Sequence, residues 1–353
     1  MTLAQLQINN LRNIKSARLS LHSKLNFITG SNGSGKTSFL EAIYLLGSGH
    51  SFRTREISPL ISQGEDCLTV FARTTDGQSI SIQKSFSTAT QVRLNTYPCQ
   101  SSSELAHFLP CQVFYQDIFQ IIDAGPSVRR SLLDWGLFHV KQSYHSLWKN
   151  YRRALKQRNS LLKQRAKQDY LAPWDQILSD LANQLDNFRE AYFIQLNIEF
   201  QAILRQLTDL ECSLHYYKGW DKKGSAKSLE TILYENYQSD SIRQFTQLGA
   251  HQADLIVDSE MFKAKQYLSR GQQKVILFAL KFAQTKLIPQ SCVFLCDDIS
   301  SELDDDHLNA LLNLIDKTAG QFFITLINKE SLVKKSHDYH CFDLCKGNIS
   351  LNN

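Results

Sequence analysis

Three groups of residues in this chain have types and spacings that do chemistry. Gly30-Ser31-Asn32-Gly33-Ser34-Gly35-Lys36-Thr37, continuing into Ser38, fits a pattern of glycine, four variable residues and then Gly-Lys-Ser/Thr. Glycines let the backbone curl until successive N–H groups point inward, and a helix start just behind them adds unpaired N–H groups and the positive end of its dipole. Such a loop is a cradle for phosphate oxygens, with Lys36 reaching the β and γ phosphates and the Thr37 hydroxyl a ligand for Mg²⁺. Far downstream, Asp297-Asp298 closes an apolar run. Asp297 suits Mg²⁺ held through its water shell, and Asp298 sits where a second carboxylate polarises an attacking water. Leu268-Ser269-Arg270-Gly271-Gln272-Gln273-Lys274 opens a helical pattern, with Ser269 as its N-cap and Gly271 permitting close backbone approach to a phosphate. Together these groups describe an ATP site with Mg²⁺.

Each group needs an element to hold it. Leu25-Asn26-Phe27-Ile28 reads as a short buried strand before the glycine loop, and Ser38 to Leu46 places apolar residues at helical spacing after it. Ser291 to Cys296 reads as a buried parallel strand whose carboxyl end, where doubly wound sheets bind ligands, carries the two carboxylates. Val113-Phe114-Tyr115 is a further short strand leading to Gln116, which either reaches a nucleotide site or is a loop residue. Val275 to Leu287 is expected to be helical and Gln321 to Thr325 a core strand. Leu3 to Leu21 reads as two strands around Asn9-Asn10-Leu11-Arg12-Asn13, and Cys67 to Leu94 as antiparallel hairpins turning at Asp76-Gly77. From Pro126 to about Gln206 the period becomes helical with few glycines. Asp221 to Lys227 looks like an exposed turn, a helical stretch follows to about Gln247, and at Gly249 to Leu255 the chain is expected to rejoin a β-containing core. His251 there is either catalytic or a hydrogen-bonded structural histidine.

Composition bounds the possibilities. The 353 residues, 42% hydrophobic and 21% charged, suit one large or two moderate globular domains. No apolar run approaches the roughly 18 residues of a membrane span, since Val275 to Ala283 is short and interrupted by Lys281. Met1 to Ser20 lacks the pattern of an export signal, so a cytoplasmic protein without a membrane partner is expected. A net charge of +5 permits an anionic partner without requiring one. Lys141, Lys149, Arg152, Arg153, Lys156, Arg158, Lys163, Arg165 and Lys167 form a run without an acidic residue before Asp169, interleaved with Tyr144, Trp148 and Tyr151. The run reads either as a stripe along a phosphate backbone, with Arg152, Arg153 and Lys156 as DNA contacts, or as a solvated helix face over packed aromatics. Arg53, in the loop after the first helix, is either a nucleotide or partner contact or a solvated arginine. The eight cysteines are expected to be reduced thiols. Cys292 with Cys296, and Cys341 with Cys345, lie in strand-like runs at a step that puts each pair on one face among core residues, a placement that favours buried thiols over zinc.

The serine-glycine-glutamine element opening a helix, the strand ending in carboxylates and the Ile299-Ser300-Ser301-Glu302-Leu303-Asp304 loop together resemble the ABC-type ATPase head. With Asn9 to Asn13, Gly125-Pro126-Ser127-Val128-Arg129-Arg130-Ser131-Leu132-Leu133-Asp134 and Leu268 to Lys274, the chain resembles the RecF family of bacterial DNA replication and repair proteins from end to end. The resemblance implies an α/β fold: an ABC-type P-loop ATPase head built from residues 1–120 and 248–353, with a mainly helical second lobe, 121–247, inserted. It implies that Lys36, Thr37, Gln116, Asp297 and Asp298 act in cis. The signature element, Ser269, Arg270, Gly271 and Gln272, acts in trans across an ATP-dependent homodimer, with Ser301 and Asp304 in the D-loop. It further implies weak, DNA-stimulated ATP hydrolysis used as a switch, binding to single-stranded and duplex DNA at gaps, partnership with RecR and RecO, and help in recombinase loading. Asp298 stands where transporter cassettes carry Glu, which suits slow hydrolysis. Thr325 or Asn328 occupies the place of their switch histidine. The competing reading is a P-loop small-molecule kinase, which has no use for the Ser269 element. A transport cassette is disfavoured by the inserted helical lobe.

Overall fold

The computed structural model describes residues 2–115, 125–222, 224–259, 268–299, 303–327 and 338–352. They form two compact units, one of Met1–Phe119 with Gln290–Asn353 and one of Gln120–Pro289.

The first unit contains two six-stranded sheets. One has the order β2-β1-β4-β5-β6-β7 and is antiparallel throughout: β1 (Leu3–Leu11), β2 (Ile14–Ser20), β4 (Cys67–Thr74), β5 (Ser79–Ser85), β6 (Gln91–Leu94) and β7 (Tyr97–Pro98). β4 and β5 alternate buried with more exposed residues, as in Leu68, Val70 and Ala72 of β4, because only one face of the sheet meets the core. The other sheet has the order β14-β13-β3-β12-β11-β8. Its β3 (Leu25–Thr29), β8 (Cys111–Phe114), β11 (Val293–Cys296), β12 (Gln321–Leu326) and β13 (His340–Cys345) are parallel, and β14 (Asn348–Leu351) closes the edge antiparallel. β3, β11 and β12 are buried along their whole length, as expected of strands covered on both faces.

Helix α1 (Lys36–Ser48) is apolar nearly all round because side chains from both sheets surround it. Phe39, Leu40, Ile43 and Leu46 share one core with Leu6, Ile8 and Val70 of the antiparallel sheet and Ile28, Leu295 and Phe323 of the parallel one. A polar clip joins the sheets: the buried amide of Gln321 accepts from Leu3 N at 2.8 Å and donates to Leu3 O and His22 O, each at 2.8 Å. Short α2 (Ser102–Phe108) and, later, α9 (Asp305–Lys317) complete this unit.

The second unit is built on α3 (Pro126–Val140), α4 (Gln142–Lys163) and the 36-residue α5 (Ala172–Leu207), with α6 (Leu229–Glu235), α7 (Tyr237–Arg243) and α8 (Arg270–Leu287) around them. Two expectations change here. The chain does not rejoin the core at Gly249 to Leu255: β10 (Asp254–Ser259) pairs antiparallel with β9 (Cys212–Tyr217) in a separate two-stranded sheet. Arg129 anchors that sheet to α3 through Asp254, at 2.9 and 2.7 Å. The division between the units also falls at 289/290 and not at 247/248, because α8 packs along α5 and donates from Gln284 Nε2 to Leu132 O of α3 at 2.6 Å. Among the described residues no helix is long and apolar enough to cross a membrane. Cys292, Cys296 and Cys341 are buried, whereas Cys345, at the end of β13 where the hairpin to β14 turns, is exposed and not part of the core.

Candidate nucleotide site

β3 delivers the chain to the glycine loop from between β12 and β13, and α1 carries it away. Two glycines are needed where they stand. Gly30 has φ +150°, and a Cβ there would lie 2.5 Å from Leu344 O; Gly35 has φ +115°, and a Cβ would lie 2.9 Å from the Asn13 amide. Neither the conformation nor the space suits another residue. The loop is pinned from two hairpin turns, since Ser34 O accepts from Asn13 Nδ2 and from Gly347 N, each at 3.0 Å.

The start of α1 carries no side-chain cap and no acidic residue in its first turn, and its first internal bond, Phe39 N to Gly35 O, is 2.9 Å long. The N–H groups ahead of that bond have no intrahelical acceptor. Ser34 Oγ is buried without a hydrogen-bond partner among the described residues. Lys36 is buried beside it, with Nζ donating to Gly30 O at 2.6 Å and Ser31 O at 3.0 Å. Burial pulls its pKa below the ordinary lysine value, and the carboxylates of Asp297 and Asp298 oppose that shift. Unpaired donors, an orphaned hydroxyl and a desolvated ammonium at one helix start fit a polyphosphate.

The carboxylates arrive on β11, which lies between β8 and β12. The Thr37 hydroxyl donates to Asp297 Oδ2 at 2.9 Å, joining two segments 260 residues apart. On the other side Thr325 Oγ1 donates to Asp297 Oδ1 at 2.7 Å and accepts from Asp298 N at 2.8 Å. Asp298 has φ +50°, in the left-handed region. A hydroxyl and a carboxylate in contact beside a phosphate cradle are the oxygen donors a hard, octahedral cation such as Mg²⁺ takes, so Thr37 and Asp297 fit the expected metal. Sequence reasoning brought Gly30 to Ser38, Asp297 and Asp298 to one place and assigned Thr325 only a possible substitution for histidine.

Sequence reasoning missed a second support of α1. Glu41 is fully buried in the helix, and Arg12 grips it from the β1–β2 turn through Nε and through Nη2, the latter 2.8 Å from Oε1; Ser51 Oγ donates to the same carboxylate. A lone glutamate inside an otherwise apolar helical run was the available signal, because a buried charge requires a partner.

The remaining candidates lie in different surroundings. Ser269 caps α8 in a capping box: Ser269 Oγ accepts from Gln272 N at 3.2 Å and Gln272 Oε1 from Ser269 N at 2.9 Å. Ser269 and Arg270 are exposed. Asp304 caps α9 through His307 N at 2.9 Å, and this bond, with the contact to the His307 ring, holds its carboxyl below the usual range. Gln116, Ser301 and Asn328 lie outside the described residues. His251 is structural: Nδ1 meets Tyr151 OH at 2.8 Å and Nε2 meets Thr246 O at 3.0 Å, and burial pulls its pKa down to about 4.

The basic run divides along α4. Arg158 points inward and is wholly buried against Asp175 at 2.6 Å, Asp240 at 2.7 Å and the Thr246 hydroxyl at 2.8 Å, so it leaves the surface stripe. Tyr144 and Tyr151 are packed below. Arg152, Arg153, Lys156 and Lys163 are exposed and, with Asn159 and Ser160, border an open groove of about 550 Å³. Arg53 is exposed, with its backbone N–H donating to Ser51 Oγ at 2.9 Å.

Comparison with known proteins agrees with this geometry. The RecF/RecN/SMC N-terminal domain family matches residues 2–347. A relative from Pseudomonas syringae pv. syringae, "DNA replication and repair protein RecF", is 37% identical over 345 residues, covering 94% of this chain and 92% of its own. Among solved structures, that of the recombination mediator protein RecF with ATP, in the RecFOR pathway, superposes with a TM-score of 0.84 at 26% identity, covering 100% of this chain and 98% of that one. An Smc head bound to the C-terminal winged-helix domain of ScpA shares the fold, with a TM-score of 0.62 at 17% identity over 100% of this chain and 97% of that one.

Proposed function

This chain belongs to the RecF family of DNA replication and repair proteins, and on that premise we propose that it is an ATP-dependent DNA-binding protein whose nucleotide site is completed by a second copy of itself. The observation that carries the reading is the bond between Thr37 and Asp297 beside an uncapped helix start. Residues 30–38 hold the phosphates of ATP, and Thr37 with Asp297 hold Mg²⁺, which when bound neutralises charge on the phosphates. Lys36 moves its ammonium from the loop carbonyls to the phosphate oxygens. Asp298, short for its task, supports slow hydrolysis, assisted by Gln116. Ser269, Arg270, Gly271 and Gln272 approach the γ phosphate from the other protomer, with the D-loop residues Ser301 and Asp304 at the same interface. ATP thus drives dimerisation, and hydrolysis ends it.

DNA is the partner that this switch controls. Arg152, Arg153 and Lys156 are the candidate phosphate contacts, since they stand exposed on one helix face with no acidic neighbour in sequence. Gapped DNA as the preferred form, RecR and RecO as partners and assistance in recombinase loading belong to the same proposal.

The test is sedimentation and DNA binding together. Wild-type protein is expected to dimerise with ATP, and Ser269→Arg to stay monomeric while binding ATP as before. Failure of that variant to bind ATP would count against the trans arrangement. Charge reversal at Arg152 and Arg153 is expected to weaken DNA binding and flatten its logarithmic salt dependence by about 2. An unchanged slope returns the stripe to solvated surface, and ATP turnover indifferent to DNA but raised by a metabolite would replace this reading by a kinase.

A further inference from the structure

β12 is the central strand between β3, which carries the glycine loop, and β11, which carries the carboxylates. All six of its residues are buried, and only Gln321 and Thr325 are polar. Burying a polar group without a partner is costly, so each must have a use. Gln321 clips the two sheets together. Thr325 lies one residue beyond the Cys296–Ile324 register pair, level with Asp297, where a valine would pack equally well in an apolar strand.

Its hydrogen bonds have only one possible direction. The Asp298 backbone N–H can only donate, so at 2.8 Å it occupies a lone pair of Thr325 Oγ1. The hydroxyl proton is then left for Asp297 Oδ1, 2.7 Å away. Asp297 Oδ2 meanwhile accepts from Thr37 at 2.9 Å. The carboxylate is therefore held at both oxygens and cannot rotate, and the same hydroxyl ties down Asp298 in its left-handed conformation.

We propose that Thr325 is a positioning residue for the metal ion: its buried hydroxyl sets the orientation of the Asp297 carboxylate and the backbone of Asp298, so that Thr37 and Asp297 present their oxygens to Mg²⁺ without rearrangement. The inference rests on the ATP reading above and adds to it a residue whose hydroxyl bonds Asp297 and Asp298. Thr325 acts through Asp297, as outer-shell partners of metal ligands do, and loss of such a partner costs about tenfold in metal affinity.

The test is calorimetric ATP binding by the full chain, in Mg²⁺ and in EDTA, for wild type, Thr325→Val and Thr325→Ser, with thermal melting alongside. Thr325→Val keeps the shape and removes the hydroxyl; it is expected to lose about tenfold of the affinity gained from Mg²⁺ and to match wild type in EDTA. Thr325→Ser is expected to restore the gain. Should the valine variant not fold, Thr325→Ala against Thr325→Ser makes the same comparison. A valine variant with the full Mg²⁺ gain overturns the proposal, as does an equal loss with and without Mg²⁺, which would mark a role in packing alone. Wild-type protein that binds no ATP in either buffer would overturn the function itself, a result distinguishable from both.

Discussion

α1 begins behind Gly35 with no side-chain cap among the described residues, whereas α8 begins behind Ser269 in a capping box of a hydroxyl and an amide. The first helix start is stabilised by its surroundings: two hairpin turns hold the loop at Ser34 O, Arg12 holds Glu41, and an apolar core encloses the rest. It has no need of a cap, and its donors remain for a phosphate. The second is stabilised by itself, and its capping residue is solvent-exposed. Because Ser269 Oγ accepts from Gln272 N, its proton remains available, while the capping box takes up the Ser269 and Gln272 N–H groups whose counterparts the uncapped start leaves for a ligand. On the proposed function, the start of α1 grips ATP within one protomer and the start of α8 meets the γ phosphate across the dimer.

Lys36→Ala attacks the gripping site and carries the largest expected effect. Loss of a charged donor should cost about 3 kcal/mol, roughly a hundredfold in ATP affinity by calorimetry, and abolish ATP-induced dimers in sedimentation. Undiminished dimers would break the contrast at its stronger end. Gly35→Ala tests whether the loop is held in place by its surroundings: strain at φ +115° and crowding of Asn13 should lower stability by about 2 kcal/mol in denaturant melts, with ATP binding falling in parallel. Ser269→Ala is the smallest and most discriminating. Removing the cap should cost about 1 kcal/mol of stability and leave the affinity of the monomer for ATP unchanged, while dimerisation weakens. A monomer affinity reduced as far as in Lys36→Ala would mean that the two helix starts serve one protomer.

The contrast between the two helix starts also marks how much was legible beforehand. The glycine loop, its strand and its helix could be read because their signals are contiguous: glycines where φ is positive, apolar spacing on either side. The capping box was half legible for the same reason, with Ser269 recognised and its reciprocal Gln272 not. The carboxylate strand could be recognised as buried, but its neighbours could not. Reading Gly249 to Leu255 as a return to the core was mistaken because an isolated antiparallel pair and a core strand have the same local pattern, and only the partner, β9, distinguishes them. Arg158 looked like its neighbours in a cationic run, yet the turn of α4 points it at Asp175 and Asp240 from elements 17 and 82 residues away.

The sequence by itself determined the chemistry that depends on neighbours along the chain: a phosphate cradle, a carboxylate pair, a helix start headed by serine, and membership of a recognisable family. The tertiary structure alone decided what holds those groups in place and which residues outside the motifs join them. Thr325 shows the reason. Its place between Asp297 and Asp298 follows from β12 lying between β3 and β11, an order set by packing that brings the distant β3 beside two strands near the other end of the chain. A threonine in an apolar strand carries no mark of that order, because the energy that selects it belongs to contacts that form only once the sheet is assembled.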